Sequence, residues 1–166
     1  MYRTLEDFYS DWSYESQSTL NLFKNLTDES LTKVVHPNVR TLGFLAWHII
    51  HTQQEMPAKM GLKIDIKEQE DYSGETVKEL CEAYEKGAKS IVEEIKKNWT
   101  VDDLQKEDNM YGDNWKRGTT LTILIKHEAH HRAEMVVLMR MLGLPVIGAY
   151  GPTKEDWAKY GMPTMK

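Results

Sequence analysis

Of the 166 residues only Cys81 is a cysteine, so no internal disulfide can form, and a reducing compartment is the expectation. No stretch approaches the roughly 18 uninterrupted apolar residues that a membrane-spanning helix needs. The opening MYRTLEDFYSDWSYES carries acids and aromatics where a signal peptide would carry a basic run and then an apolar one. A cytoplasmic protein without membrane association is therefore expected. Lys and Arg number 21 against 26 Asp and Glu, a formal charge of −5. The basic residues form no cluster, and phosphate recognition wants a basic face, so no nucleic-acid partner is expected. Sustained apolar/polar alternation is also lacking, which leaves no convincing β-strand.

What remains is an ordinary globular composition, 40% hydrophobic and 28% charged. A chain of this length makes one domain, residues 1–166, and buries roughly two-thirds of the surface its unfolded form exposes. Its pattern is helical. Leu5, Phe8, Trp12, Glu15, Thr19, Leu22 and Leu26 follow a 3-4 spacing that lays a mostly apolar stripe on a first helix ending near Leu26. The polar TDESLTKVVHPNVRT reads as a loop with at most one turn of helix, because Pro37 disfavours helix at His36.

A second helix starts near Thr41, with GFLAWHIIHTQQEM as its body, Pro57 near its end and Gly61 as its stop. Ser73 is a candidate N-cap for a third, which carries Val77, Leu80, Tyr84, Ile91 and Ile95 on one side and runs to about Asn98. A fourth runs from about Thr119 to Leu142 and is closed by Gly143 and Pro145. In the tail, Thr153 can cap a short helix through Tyr160, with Trp157 and Tyr160 packing onto the rest. The fold class expected is all-α: a four-helix bundle with a short C-terminal helix and an irregular tail.

Five of the six histidines fall in the second and fourth helices. In IKHEAHHRAEMVVLMRML, His127 and His131 lie one turn apart, about 40° apart in projection. They share their face with Thr120, Leu124, Glu134 and Leu138. Two neutral imidazoles on a buried face both need partners, and a divalent transition metal supplies one for both. His48, within the apolar LAWHII of the second helix, is the choice for a third ligand. His36 reads as a surface residue, and His51 and His130 read either as groups that support the ligands from behind or, the reading favoured, as ordinary helix-surface residues. Cys81 reads as a small core residue.

The run His127-Glu128-Ala129-His130-His131 also fits H-E-x-x-H, the helix signature of zinc peptidases. The context opposes that reading. A metzincin needs glycine at 134 and histidine at 137, where Glu134 and Val137 stand. An acidic third ligand would have to come from a residue such as Glu155 in the tail.

LAWHIIHTQQEM, KHEAHHRAEMVVLMRMLGLP and YGPTKEDW resemble the DinB-like proteins, bacterial four-helix bundles related to bacillithiol- and mycothiol-dependent transferases. The likeness extends over nearly the whole chain. It implies His48, His127 and His131 as metal ligands, the three chosen above, and a homodimer. Where the family run commonly reads HHRGQ, this chain has His130-His131-Arg132-Ala133-Glu134. Glu134 on the metal-facing side could orient a ligand or a bound water, alter which substrate is accepted, or simply rim the pocket, and Glu55 lies two turns from His48 on that helix's face. Zinc or nickel is the first expectation for the metal, with iron or manganese also compatible with three imidazoles. The resemblance implies activation of a low-molecular-weight thiol for S-transfer to an electrophile. Hydrolysis by metal-activated water and a non-catalytic metal-binding module are the alternatives.

Overall fold

A computed structural model describes residues 2–161 and 163. Four long α-helices form the bundle: α1 (Leu5–Phe23), α3 (Leu42–Lys59), α4 (Val77–Asn98) and α5 (Arg117–Met141), with a single turn, α2 (Asp28–Leu31), after the first. Around the bundle the order is α1, α4, α3, α5. Contacts along the helices give their directions. Phe23 meets Tyr84 while Tyr9 meets Lys96, so α1 and α4 are antiparallel. His48 meets His127 while Leu45 shares a groove with Leu138, so α3 and α5 are antiparallel too.

α3 and α4 run parallel, which requires a long crossover between them. Residues 60–76 supply it, climbing back along the pair. Lys63 N–H donates to Glu94, Asp65 N–H to Ser90 Oγ, and Trp47 Nε1–H to the Gln69 carbonyl. Two glycines let this strap lie close. A Cβ on Gly87 would come within 2.4 Å of Ile66 Cδ1, and one on Gly43 within 2.8 Å of the Tyr72 ring.

Local chemistry sets the helix ends. Thr41 caps α3 by accepting from Phe44 N–H, as its position predicts. Gly61 and Gly143 adopt positive φ, and the pairs Gly61→Ala58 and Leu62→Pro57, Gly143→Arg140 and Leu144→Met139 close α3 and α5 in the same double-bonded way. Other limits differ from the expectation. α1 ends at Phe23, three residues before Leu26. α4 is capped by Thr76, not Ser73, because Thr76 and Glu79 form a reciprocal capping box, while Ser73 binds Glu75 instead.

The largest departure lies between α4 and α5. Residues 99–116 hold a 3-10 turn (Val101–Gln105) and an antiparallel hairpin, β1 (Glu107–Met110) with β2 (Asp113–Lys116), where no strand is expected from the sequence. Tyr111 and Gly112 turn it with φ of 58° and 99°, the left-handed pair that two-residue hairpin loops require. Arg117 clamps the base, donating to Asp108 at 2.8 Å and lying over the Trp99 ring.

In the tail the expected short helix is a 3-10 turn, Trp157–Tyr160, preceded by a turn in which Thr153 donates to Asp156. Trp157 is half-buried, but Tyr160 is 69% exposed and does not pack on the bundle. Cys81 is half-buried at the edge of the core. Among the described residues no helix is long and apolar enough to cross a membrane.

Candidate metal centre

α3 and α5 bring His48, His127 and His131 together, their ligand nitrogens all within 4.8 Å of one another. Nε2 of His127 lies 3.3 Å from Nε2 of His48 and 3.1 Å from Nε2 of His131. Two imidazoles bound at about 2.0–2.1 Å to one tetrahedral or octahedral ion have nitrogens about 2.9–3.4 Å apart. The separations therefore fit a single transition-metal ion. Among the described residues no fourth His, Cys, Asp or Glu joins the group.

The protonation states agree with a ligand set. Burial first, then the neighbouring imidazoles, pushes the His48 and His127 pKa values down to about 4, so both are neutral with a lone pair to give at pH 7. His131 is buried, and its Nδ1 lies 2.6 Å from Glu134 Oε2. A carboxylate only accepts, so Nδ1 carries the proton and Nε2 is left bare toward the other rings. Phe44 stacks on His48 at 5.9 Å and 17°, fixing the ring from behind.

Glu134 thus fixes the orientation of the His131 ring. Glu55 is drawn elsewhere, accepting from the Tyr111 hydroxyl at 2.9 Å and pairing with Lys59. His36 and His130 are exposed, as expected of surface residues. His51 is half-buried, with its Nδ1 buried and without a hydrogen-bond partner, which departs from the surface reading favoured for it. Glu155, the acidic ligand considered for a peptidase, pairs with Arg140.

Glu128 decides the H-E-x-x-H question. It is 2% exposed on another side of α5 and accepts from Thr19 Oγ1 at 2.6 Å and from the Tyr84 hydroxyl, with burial pushing its pKa up to about 7. It faces α1 and α4, so it is not poised over the histidines as a general base. Arg132 belongs to the same side. It donates to the Glu15 carbonyl, Glu15 Oε2, Thr19 Oγ1 and the Tyr150 hydroxyl, joining α1, α5 and the tail. The sequence reading of α5 missed this second buried face.

Next to Glu134, the partner of His131, lies a groove of about 410 Å³, bounded by Val35, His36, Asn38, Val39, Arg40 and Leu45 on one side and by Glu134, Val137, Leu138 and Met141 on the other. His48 and His127 are only half-buried.

The profile of the DinB family matches residues 1–165. The uncharacterized protein YrdA of Bacillus subtilis (strain 168) is 36% identical over 167 residues, which cover 100% of this chain and 99% of that protein. The crystal structure of a DinB-like protein from Bacillus cereus ATCC 10987 superposes with a TM-score of 0.85 at 36% identity, covering 90% of this chain and 100% of the other. A second DinB-like structure, YjoA from Bacillus subtilis, shares the fold with a TM-score of 0.66 at 17% identity, over 84% of this chain and 96% of its own. An all-α bundle with a three-histidine cluster, matched along its whole length in this way, belongs to the DinB family.

Proposed function

We propose that this DinB protein holds one divalent transition metal on His48, His127 and His131 and activates a low-molecular-weight thiol for S-transfer to an electrophile. The supporting observation is the convergence of three imidazole nitrogens with no fourth protein ligand among the described residues. A zinc or nickel ion there supplies Lewis acidity that lowers the pKa of a thiol or a water reaching it, and iron or manganese fits the same donors.

The chain's own residues have separate tasks. Glu134 holds the His131 proton at Nδ1, and Phe44 holds the His48 ring. The positive charge of Arg40 is felt at His48, His127 and Glu134, which favours an anionic sulfur over a neutral one at that end of the groove. Hydrolysis by the peptidase route is disfavoured, because Glu128 faces α1 and Glu134 is engaged by His131. The substrate is a small molecule, and the family likeness carries the expectation of a homodimer, which sedimentation of the purified protein tests.

The reaction is tested with the metal-loaded protein and a model electrophile such as monochlorobimane, with and without bacillithiol. Conjugate formation above the uncatalysed rate only when thiol is present, lost in His48→Ala, supports transfer. Turnover of a model ester or amide without any thiol would replace transfer with hydrolysis.

A further inference from the structure

His131 presents its two nitrogens to two different neighbourhoods. Nε2 turns to His127 and His48, while Nδ1, on the other side of the ring, lies 2.6 Å from Glu134 Oε2. One turn before Glu134 on α5 stands His130, whose Nε2 is 3.9 Å from the other carboxylate oxygen, Oε1. The His130 and His131 rings approach at 4.9 Å and 78°. His130, His131 and Glu134 thus bring one ligand atom each within 4.8 Å of one another, a second donor group that shares only His131 with the first. His131 is buried, whereas the His130 and Glu134 side chains are 67% and 45% exposed and free to turn. Donors on one zinc ion at about 2.0–2.2 Å sit about 2.9–3.4 Å apart, so closing on an ion asks these two to move by under about 1 Å. Side chains at i and i+4 of a helix are near enough neighbours for that.

We propose that a second divalent transition-metal ion binds on His130 Nε2, Glu134 and His131 Nδ1 when metal is in excess, and shares His131 with the three-histidine centre. Two imidazole nitrogens and one carboxylate suit zinc, copper or nickel, and not magnesium or calcium. The ion takes the place of the proton between Nδ1 and Glu134. That proton passes to solvent, and His131, now an imidazolate, donates one lone pair to each ion. The ring keeps its orientation, because Glu134 holds the ion where it held the proton. This is the weaker of the two sites. Ordering each exposed side chain costs about 2–10-fold in affinity, and the charge of Arg40, which reaches Glu134, opposes a further cation. The three donors stand by themselves, and only the sharing of His131 rests on the metal reading proposed above.

Equilibrium dialysis of the full chain against rising free zinc reads the stoichiometry. Two steps are expected, the tighter lost in His48→Ala and the weaker in His130→Ala. His130→Ala should lower the second affinity at least about tenfold, since a direct ligand is worth no less than an outer partner. Glu134→Gln should also weaken the second step, while keeping an acceptor for the His131 Nδ1–H at the first. Circular dichroism establishes that each variant folds. Copper(II) in place of zinc tests the shared ligand: two ions on one imidazolate couple antiferromagnetically, so on cooling the doubly loaded protein should give less paramagnetic resonance signal than two separate ions. A single zinc step that His48→Ala removes, or a second step untouched by His130→Ala, overturns the second site and leaves the three-histidine centre standing. A single step that needs His130 and ignores His48→Ala overturns the three-histidine reading and keeps the donors at His130 and Glu134. Two uncoupled copper signals overturn the sharing of His131.

Discussion

Replacing Arg132 with alanine should destabilise the protein severely without emptying the histidine site. The Arg132 side chain is 5% exposed, and its partner Glu15 is 11% exposed. The guanidinium donates to Glu15 Oε2 at 2.6 Å, the Glu15 carbonyl at 3.1 Å, Thr19 Oγ1 at 3.1 Å and the Tyr150 hydroxyl at 2.7 Å. Alanine leaves the Glu15 carboxylate buried with the Tyr150 hydroxyl at 2.8 Å and without a countercharge. Breaking a buried pair from one side costs about 3–5 kcal/mol, because the orphaned charge stays desolvated. At about 2–4 °C per kcal/mol for a chain of this size, Tm should fall by about 6–20 °C. Urea and thermal unfolding followed by circular dichroism at pH 7, with metal saturating, measure the loss. Arg132→Lys should recover part of it, since lysine keeps the charge and loses the planar fork. The double variant Glu15→Leu/Arg132→Met should be less damaged than Arg132→Ala alone, because it removes both charges. A loss below about 1 kcal/mol for Arg132→Ala, within the range of ordinary surface changes, would refute the reasoning.

Three further outcomes follow from the geometry around the histidines. Glu134→Ala should lower zinc affinity by about 10–100-fold in a chelator competition, because His131 loses the group that fixes its tautomer; unchanged affinity would mean that the contact does not position the ligand. His48 and His127 have pKa values of about 4 in the folded apoprotein, against about 6.5 when unfolded. Between those values the unfolded chain binds more protons, so apoprotein stability should fall as pH drops from 6.5 toward 4. Discounted for partial exposure of both rings, the loss is about 2 kcal/mol in all. It is read by urea unfolding at pH 7 and pH 5, and a His48→Gln/His127→Gln variant with the same pH slope would contradict it. Glu128→Gln should leave metal content and affinity as they were while moving the unfolding midpoint, since Glu128 serves the α1–α4–α5 core. Loss of metal-dependent turnover without loss of metal in that variant would reinstate the peptidase-like role.

The parts of the fold legible in the sequence are those fixed by short-range chemistry. The 3-4 spacing from Leu5 to Leu22, the cap at Thr41 and the glycine stops at 61 and 143 all depend on neighbours within a turn or two. The Thr76–Glu79 capping box was equally local, and the T-x-x-E pattern was there to separate it from Ser73. The hairpin at 107–116 was hidden because its strands are four residues each and its turn is Tyr-Gly, without the usual Asn or Asp.

The two buried sides of α5 were hidden for a different reason. His131 faces α3, Glu128 faces α1 and α4, and Arg132 faces α1 and the tail, so no single apolar stripe marks what is inside. His127 and His131 could be paired from helix geometry alone, because i and i+4 share a face on any helix. His48 needed knowledge that α3 lies beside α5, which no local pattern holds. The strap over Gly43 and Gly87 is likewise a product of the parallel α3–α4 arrangement.

Metal analysis of protein purified without a polyhistidine tag tests the central claim most directly. About one equivalent of a divalent transition metal per chain, lost in His127→Ala/His131→Ala while the helical circular dichroism persists, is the predicted result. Less than about half an equivalent in the unaltered protein even after incubation with zinc or nickel, or a content unchanged by the double substitution, would contradict a metal centre at His48, His127 and His131.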